Sequence, residues 1–225
     1  MRTLAIGDIH GCRAALDHLL AFVQPLPGET IVTLGDYIDR GPDSAGVLEQ
    51  LIELNRAGSL VPLRGNHELM MLSARGGAES IVRFWLECGG LATLASYGAE
   101  VSLEDIPPSH WYFMKHSCRD WYETGTHVFV HANLQPDLPS GEQHAEYLQW
   151  ESLNSRWHRP HVSGKTMICG HTQQRSGVPL VLDRAVCIDT WAYGGGWLTC
   201  LDVNSGDYWQ ANELGETRAG SIGQA

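Results

Sequence analysis

The feature that most constrains this chain is a repeated strand ending. Three short apolar runs near the N-terminus, Thr3-Leu4-Ala5-Ile6, Thr30-Ile31-Val32-Thr33-Leu34 and Ser59-Leu60-Val61-Pro62-Leu63, each give way to glycine and a polar cluster. The clusters are Gly7-Asp8-Ile9-His10, Gly35-Asp36 and Gly65-Asn66-His67-Glu68. Runs of this length and composition, bounded by turn residues, read as buried strands. Helical periods lie between them. Residues 13–23 put Leu16, Leu19, Leu20 and Val23 on one face, and Pro42-Asp43-Ser44 opens a segment striped by Val47, Leu48, Leu51, Ile52 and Leu54. Two strand–helix–strand crossovers in succession call for parallel strands in an α/β sheet. Parallel strands present their carboxyl ends along one edge, where ligand sites form. All three polar clusters fall on that edge.

The rest of the chain is less regular. Residues 69–114 read as mostly helical and aromatic-rich, with breaks at Gly76-Gly77 and Gly89-Gly90. A strand over 127–130 ends at His131-Ala132-Asn133, a short helix follows around 142–150, and the strand over 166–169 ends at Gly170-His171. Further short strands are expected over 179–182, 185–188, 197–203 and 207–210, the last two joined by a hairpin turn at Asn204-Ser205-Gly206-Asp207. The polar, Gly-rich stretch from Glu213 to Ala225 reads as a flexible tail, leaving one domain over 1–212. A chain of 225 residues can bury a core without disulfides. Its six cysteines are scattered without a C-x-x-C pair, as expected for reduced thiols and against a zinc finger. A formal net charge of -11 argues against nucleic acid polymers and anionic membranes as partners. No apolar run approaches a membrane span and no signal-peptide core follows Met1, so a cytoplasmic location is expected.

Five strand ends can thus deliver Asp8, His10, Asp36, Asn66, His131 and His171 to one crevice. That mixture of oxygen and imidazole donors suits Mn, Fe or Zn better than calcium or a thiolate-bound metal. Taken singly, each piece has an ordinary structural role. Asp8 and His10 fit a cap and a surface histidine, Asp39-Arg40 a local salt bridge, and Asn66-His67-Glu68 a helix start with an acidic first turn. His131 and His171 fit satisfied, partly buried histidines. Their joint placement at glycine-flanked strand ends is what favours a shared site.

Gly7-Asp8-Ile9-His10-Gly11, Gly35-Asp36-Tyr37-Ile38-Asp39-Arg40-Gly41 and Gly65-Asn66-His67-Glu68 resemble the GDxHG, GDxxDRG and GNHE signature. It marks the phosphoprotein-phosphatase branch of the calcineurin-like metallophosphoesterases, here of the bacterial and phage serine/threonine phosphatase type. With His131 and His171 the match runs in order from residue 7 to about 196. The resemblance implies an α/β fold with a central β-sandwich of two mixed sheets flanked by helices. It also implies two divalent metal ions, Mn foremost with Fe or Zn as alternatives. Asp8, His10 and Asp36 would hold one ion; Asp36, Asn66, His131 and His171 would hold the other. Two such ions about 3.5–4 Å apart activate a bridging water for in-line attack and neutralise charge on the phosphoryl oxygens. His67 would protonate the leaving oxygen, with Asp39 orienting its imidazole. Arg40 would clamp the phosphoryl group, with Asn66 beside it, and Tyr193 in the Asp189–Gly196 loop would line the substrate mouth.

Two departures bear on substrate choice. The family's second phosphate-binding arginine is missing from Leu148–Leu153, leaving Arg156 or Arg159 as candidate substitutes, and the usual HGG becomes His131-Ala132-Asn133. Residues 75–125, with Trp85, Trp111, Tyr112 and Trp121, are where specificity is expected, although aromatics at this spacing more often pack in a core. The expected activity is hydrolysis of phosphomonoesters on phosphorylated proteins or peptides, at serine and threonine and also at tyrosine. The alternatives are a hydrolase of small phosphoesters such as diadenosine tetraphosphate and, more remotely, a non-catalytic metal-binding interaction module.

Overall fold

The computed structural model describes residues 2–223. Its first third alternates as the periodicity requires: β1 (Thr3–Ile6), α1 (Arg13–Val23), β2 (Thr30–Thr33), α2 (Ser44–Arg56) and β3 (Leu60–Pro62). The Asp43 side chain caps α2 by accepting from the Gly46 amide at 2.8 Å. α3 (Asn66–Ala74) opens directly on the third polar cluster. α4 (Glu79–Trp85) runs through a widened turn at Leu86–Gly90 into α5 (Leu91–Tyr97), and α6 (Pro108–Tyr112) follows. Then come β4 (Trp121–Glu123), β5 (His127–Val130), α7 (Ala145–Gln149), β6 (Thr166–Cys169), β7 (Leu180–Leu182), β8 (Ala185–Cys187), β9 (Leu198–Asp202), β10 (Asp207–Ala211) and β11 (Thr217–Ser221).

The strands form two mixed sheets. The first runs β11-β10-β9-β1-β2-β3, with β1, β2 and β3 parallel and β9 to β11 an antiparallel meander. The second runs β4-β5-β6-β8-β7, with β5, β6 and β8 parallel and antiparallel strands at both edges. Ala5, Val32, Leu34, Leu63 and Leu201 of the first sheet pack against Phe129, Ile168, Val186 and Ile188 of the second. The outer face of the first sheet is buried by Leu16, Leu19, Val47, Leu48 and Leu51 from α1 and α2. A sandwich flanked by helices is therefore the architecture, with three parallel strands in each sheet, six in all.

One expectation is corrected. Thr217–Ser221 is the edge strand β11, paired along its length with β10, not part of a frayed tail. Gln224 and Ala225 lie outside the described residues. β4, unanticipated, closes the second sheet through Trp121–Val130 and Tyr122–Phe129 pairings. Within 75–125, Trp85 and Trp111 are core residues and Tyr112 is exposed. All six cysteines are free thiols, five of them buried. Among the described residues no helix is long and apolar enough to cross a membrane.

Because Phe129 is fully buried between the two sheets, Phe129→Ala is expected to lower unfolding free energy by about 3–5 kcal/mol. Urea denaturation followed by far-UV circular dichroism checks this; an unchanged midpoint would contradict the packing described.

Candidate active site

Asp36, just past the end of β2, organises the edge. Its carbonyl accepts from the amides of Ile9 at 3.1 Å and His10 at 2.8 Å, tying the first strand end to the second. Its own amide donates to Glu68 Oε2 at 2.9 Å, and its Oδ1 accepts from the His67 amide at 3.1 Å. Glu68 also accepts from the amides of Tyr37 and Gly65, each at 2.8 Å. Glu68 is thus the anchor of the second and third polar clusters, a task that an exposed helix-start carboxylate could not perform. A Cβ at Gly65 would overlap Asp36 Oδ1, and one at Gly170 would overlap Asp8 Oδ1, so both positions need glycine for this close approach. Asp8 takes the His171 amide on both oxygens, at 3.2 and 3.0 Å. Of nine non-glycine residues with positive φ among the described residues, five are His10, Asp36, Asp39, Arg40 and His171. Backbone strain is concentrated where chemistry is expected.

The histidine tautomers follow from their partners. His10 Nδ1 donates to Ile38 O at 2.9 Å and His131 Nδ1 to Leu34 O at 2.8 Å, leaving each Nε2 with a lone pair. His171 Nε2 donates to Trp150 O at 3.1 Å, leaving Nδ1 free. Burial keeps these imidazoles neutral: His10 well below its usual range, His131 below it, and His171 down to about 4. Those lone pairs face oxygens. His131 Nε2 lies 3.0 Å and His171 Nδ1 3.1 Å from Asn66 Oδ1. His131 Nε2 is also 3.4 Å from Asp36 Oδ1, and His10 Nε2 3.4 Å from Asp36 Oδ2. Acceptor faces acceptor in a buried pocket, an arrangement that repels without a cation and that suits Mn, Fe or Zn. Ligand atoms of His10, Asp36 and His67, and of Asp36, His131 and His171, form two triads that share Asp36, each within 4.8 Å. Asp8 falls in neither triad, its carboxyl being turned to the His171 amide.

His67 differs from the other three. Its Nδ1 pairs with Asp39 Oδ2 at 2.7 Å, and its Nε2 is 3.9 Å from Asp36 Oδ2. Burial pulls its pKa down, but Asp36 and the Asp39 hydrogen bond outweigh that and raise it. Such an imidazole carries a proton more readily than its neighbours, as a donor should. Arg40 is exposed above this floor, donating Nη1 to His10 Nε2 at 2.8 Å and lying 4.8 Å over the Tyr193 ring. Tyr193 meets His10 edge-on at 4.9 Å, and its hydroxyl accepts from Gln173 Nε2 at 2.6 Å. Neither candidate for the missing second arginine is brought here: Arg159 pairs with Asp137 on the surface, and Arg156 stacks on the exposed Trp157. A different cation, Arg175, lies 5.0 Å over Trp191 in the loop beside Tyr193.

Asp189 was not singled out from the sequence. It is buried, its Oδ1 accepts from the Trp191 amide at 3.0 Å, and its Oδ2 has no partner. The signal was the same one that marked Asp8: an apolar strand run ending in an aspartate. Burial, with Asp36 nearby, pushes the Asp189 and Glu68 carboxyls up to about 7. Asp8 is raised well above its usual range by burial and by Asp189 and Asp36. Burial works against the Asp36 carboxylate too, and the His67 imidazole, whose pKa is raised, opposes it from 3.9 Å.

One shared carboxylate between two imidazole triads, built on a two-sheet sandwich, defines a metal-dependent phosphoesterase. The chain belongs to the calcineurin-like phosphoesterase family, whose sequence profile matches residues 1–175. Members use a dinuclear divalent metal centre, which the two Asp36-sharing triads fit. Over 210 residues it is 31% identical to serine/threonine-protein phosphatase 1 of Salmonella typhimurium, covering 88% of this chain and 90% of that one. It is 44% identical over 78 residues to the symmetrical bis(5'-nucleosyl)-tetraphosphatase of an Acidovorax species, covering 34% of this chain and 27% of that one. A crystal structure described as a diadenosine tetraphosphatase superposes with a TM-score of 0.67 at 21% identity, covering 98% of this chain and 93% of that one. At that identity the likeness speaks for the fold alone.

The raised carboxyls set the pH dependence of metal loading. Burial raises Asp8, and Asp189 is pushed up to about 7, so Asp189 holds a proton in the metal-free protein below neutrality. A cation must displace protons held at this edge, so loading is expected to release them and to tighten as pH rises through about 7. Calorimetric titration with Mn in buffers of different ionisation enthalpy checks this. Heats independent of the buffer would contradict it.

Proposed function

We propose that this metal-dependent phosphoesterase removes single phosphoryl groups from phosphoserine and phosphothreonine in proteins, and from phosphotyrosine as well, by direct in-line displacement. The observation that carries the protein-substrate reading is the extent of likeness. The relative named as a serine/threonine-protein phosphatase aligns over 90% of its own length, whereas the tetraphosphatase of Acidovorax aligns over 27%. The former alignment covers 88% of this chain and the latter 34%.

In this reading Asp8 takes the place of His67 in the first triad, so that Asp8, His10 and Asp36 hold one divalent ion, and Asp36, Asn66, His131 and His171 hold the other. Mn is the proposed metal, with Fe and Zn accepted by the same donors. The ions supply Lewis-acid neutralisation of phosphoryl charge and activation of water. His67 delivers a proton from Nε2 to the leaving oxygen, supported by its raised pKa and by the Asp39 partner on its other nitrogen. The Arg40 guanidinium, exposed above His10, is a fork matched to two phosphoryl oxygens. Asn66 also faces the phosphoryl group, and Tyr193 lines the mouth beneath Arg40. The free, mostly buried thiols fit a reducing, cytoplasmic setting.

His67→Asn is expected to lower kcat on a phosphoserine peptide by about 10²–10⁴-fold, the usual worth of a general acid, with bound metal unchanged. Steady-state kinetics paired with elemental analysis reads both quantities, and full turnover would remove the acid role. Substrate class is decided on one metal-loaded preparation offered a phosphopeptide and diadenosine tetraphosphate. A higher kcat/KM on the phosphopeptide supports the reading, and the reverse order assigns the protein to dinucleoside polyphosphates.

A further inference from the structure

We infer that Trp85 and Thr93, carried on the α4–α5 segment, are positioning residues for leaving-group protonation, because they clamp the carboxylate that holds His67. The inference rests on the acid role of His67 proposed above. Asp39 is fully buried, and water cannot solvate its charge. Its carboxylate instead receives donors from three side chains. His67 Nδ1 reaches Oδ2 at 2.7 Å, Thr93 Oγ1 donates to Oδ1 at 2.6 Å, and Trp85 Nε1 bridges both oxygens at 3.1 and 3.2 Å. Thr93 Oγ1 also accepts from the Asp39 amide at 2.9 Å. One hydroxyl thus grips both ends of the same aspartate, whose φ of 72° lies in the left-handed region.

The turn between the two helices seats the next residue as well. The Arg40 amide donates to Gly89 O at 3.3 Å, and a Cβ at Gly89, where φ is 125°, would come within 2.8 Å of Arg40 Cγ and 2.9 Å of its nitrogen. Trp85 and Thr93 lie 46 and 54 residues from Asp39 in sequence. The segment expected to select substrate is therefore the back wall of the acid pair. Removing either donor leaves a buried carboxylate oxygen short of a partner and free to turn, and the imidazole loses its fixed orientation.

The consequence depends on the leaving group. As the ester P–O bond breaks, its electron pair goes to the leaving oxygen, which takes the proton from His67 Nε2, while water supplies the oxygen that stays on phosphorus. A serine alkoxide needs that proton; 2,4-dinitrophenolate, a stable anion, does not. A merely structural role for Trp85 and Thr93 would depress both substrates alike.

The test compares wild type, Trp85→Phe, Thr93→Val, Thr93→Ser and His67→Asn on a phosphoserine peptide and on 2,4-dinitrophenyl phosphate. Trp85→Phe and Thr93→Val are expected to lower kcat on the peptide about tenfold, a fraction of the full general-acid effect. They should leave kcat on the dinitrophenyl ester within about twofold and KM for both substrates unchanged, while Thr93→Ser, which keeps the hydroxyl, recovers the loss. Equal loss on both substrates in Trp85→Phe and Thr93→Val, with selectivity intact in His67→Asn, overturns the positioning role alone. Equal loss on both substrates in His67→Asn overturns the acid reading beneath it. Should Trp85→Phe fail to fold, the near-isosteric Thr93→Val decides the matter by the same two criteria.

Discussion

Burial of the Asp36 carboxylate is the constraint on which the rest of this structure depends. Taking a carboxylate out of water costs several kcal/mol even after the protein relaxes, and Asp36 has almost no exposed surface. Its compensation comes from separate stretches of chain. The His67 amide donates to Oδ1, and the His67 imidazole, whose pKa is raised, lies 3.9 Å from Oδ2. Its backbone is fixed as firmly, through Ile9, His10 and Glu68. The imidazoles of His10 and His131 cannot act as hydrogen-bond donors to it, because their N–H groups are committed to backbone carbonyls. Arg40 meets the lone pair of His10, while those of His131 and His171 still face an oxygen in the pocket, where a cation would reconcile them.

The same logic explains why the fold tolerates so much strain here. Left-handed φ values at His10, Asp36, Asp39, Arg40 and His171 are each unfavourable for residues with a Cβ. They persist because the surroundings over-determine them. Glu68 gathers three amides, Gly65 and Gly170 let backbone pass against carboxylate oxygens, and Thr93 chelates Asp39. The two sheets supply the rigid frame: six parallel strands end at one rim, so residues far apart in sequence arrive together.

Much of this was legible in the sequence, and the reason is local. A strand that ends in glycine and then a polar residue carries its own address, and Asp8, His10, Asp36, Asn66 and His171 stand at such ends, while His131 directly follows an apolar strand run. Asp189 carries the same mark, an apolar run ending in aspartate, and could have been read by the same rule. Glu68 reads in the sequence as a helix-start carboxylate, and a buried anchor looks the same until the amides it meets are placed. Trp85 and Thr93 had no local mark at all, because their partner Asp39 lies 46 and 54 residues away. Thr217–Ser221 was hidden for another reason: its polar, Gly-containing sequence lacks strand periodicity, and pairing with β10 decides its conformation.

The central claim is that the lone pairs around Asp36 make two coupled cation sites. It is tested most directly by equilibrium dialysis of the metal-stripped protein against Mn, with bound metal counted by elemental mass spectrometry. The account predicts two ions per wild-type chain and about one for His171→Ala, whose loss removes a donor from only one triad. A wild-type protein that saturates at one ion, or binds none, would contradict it.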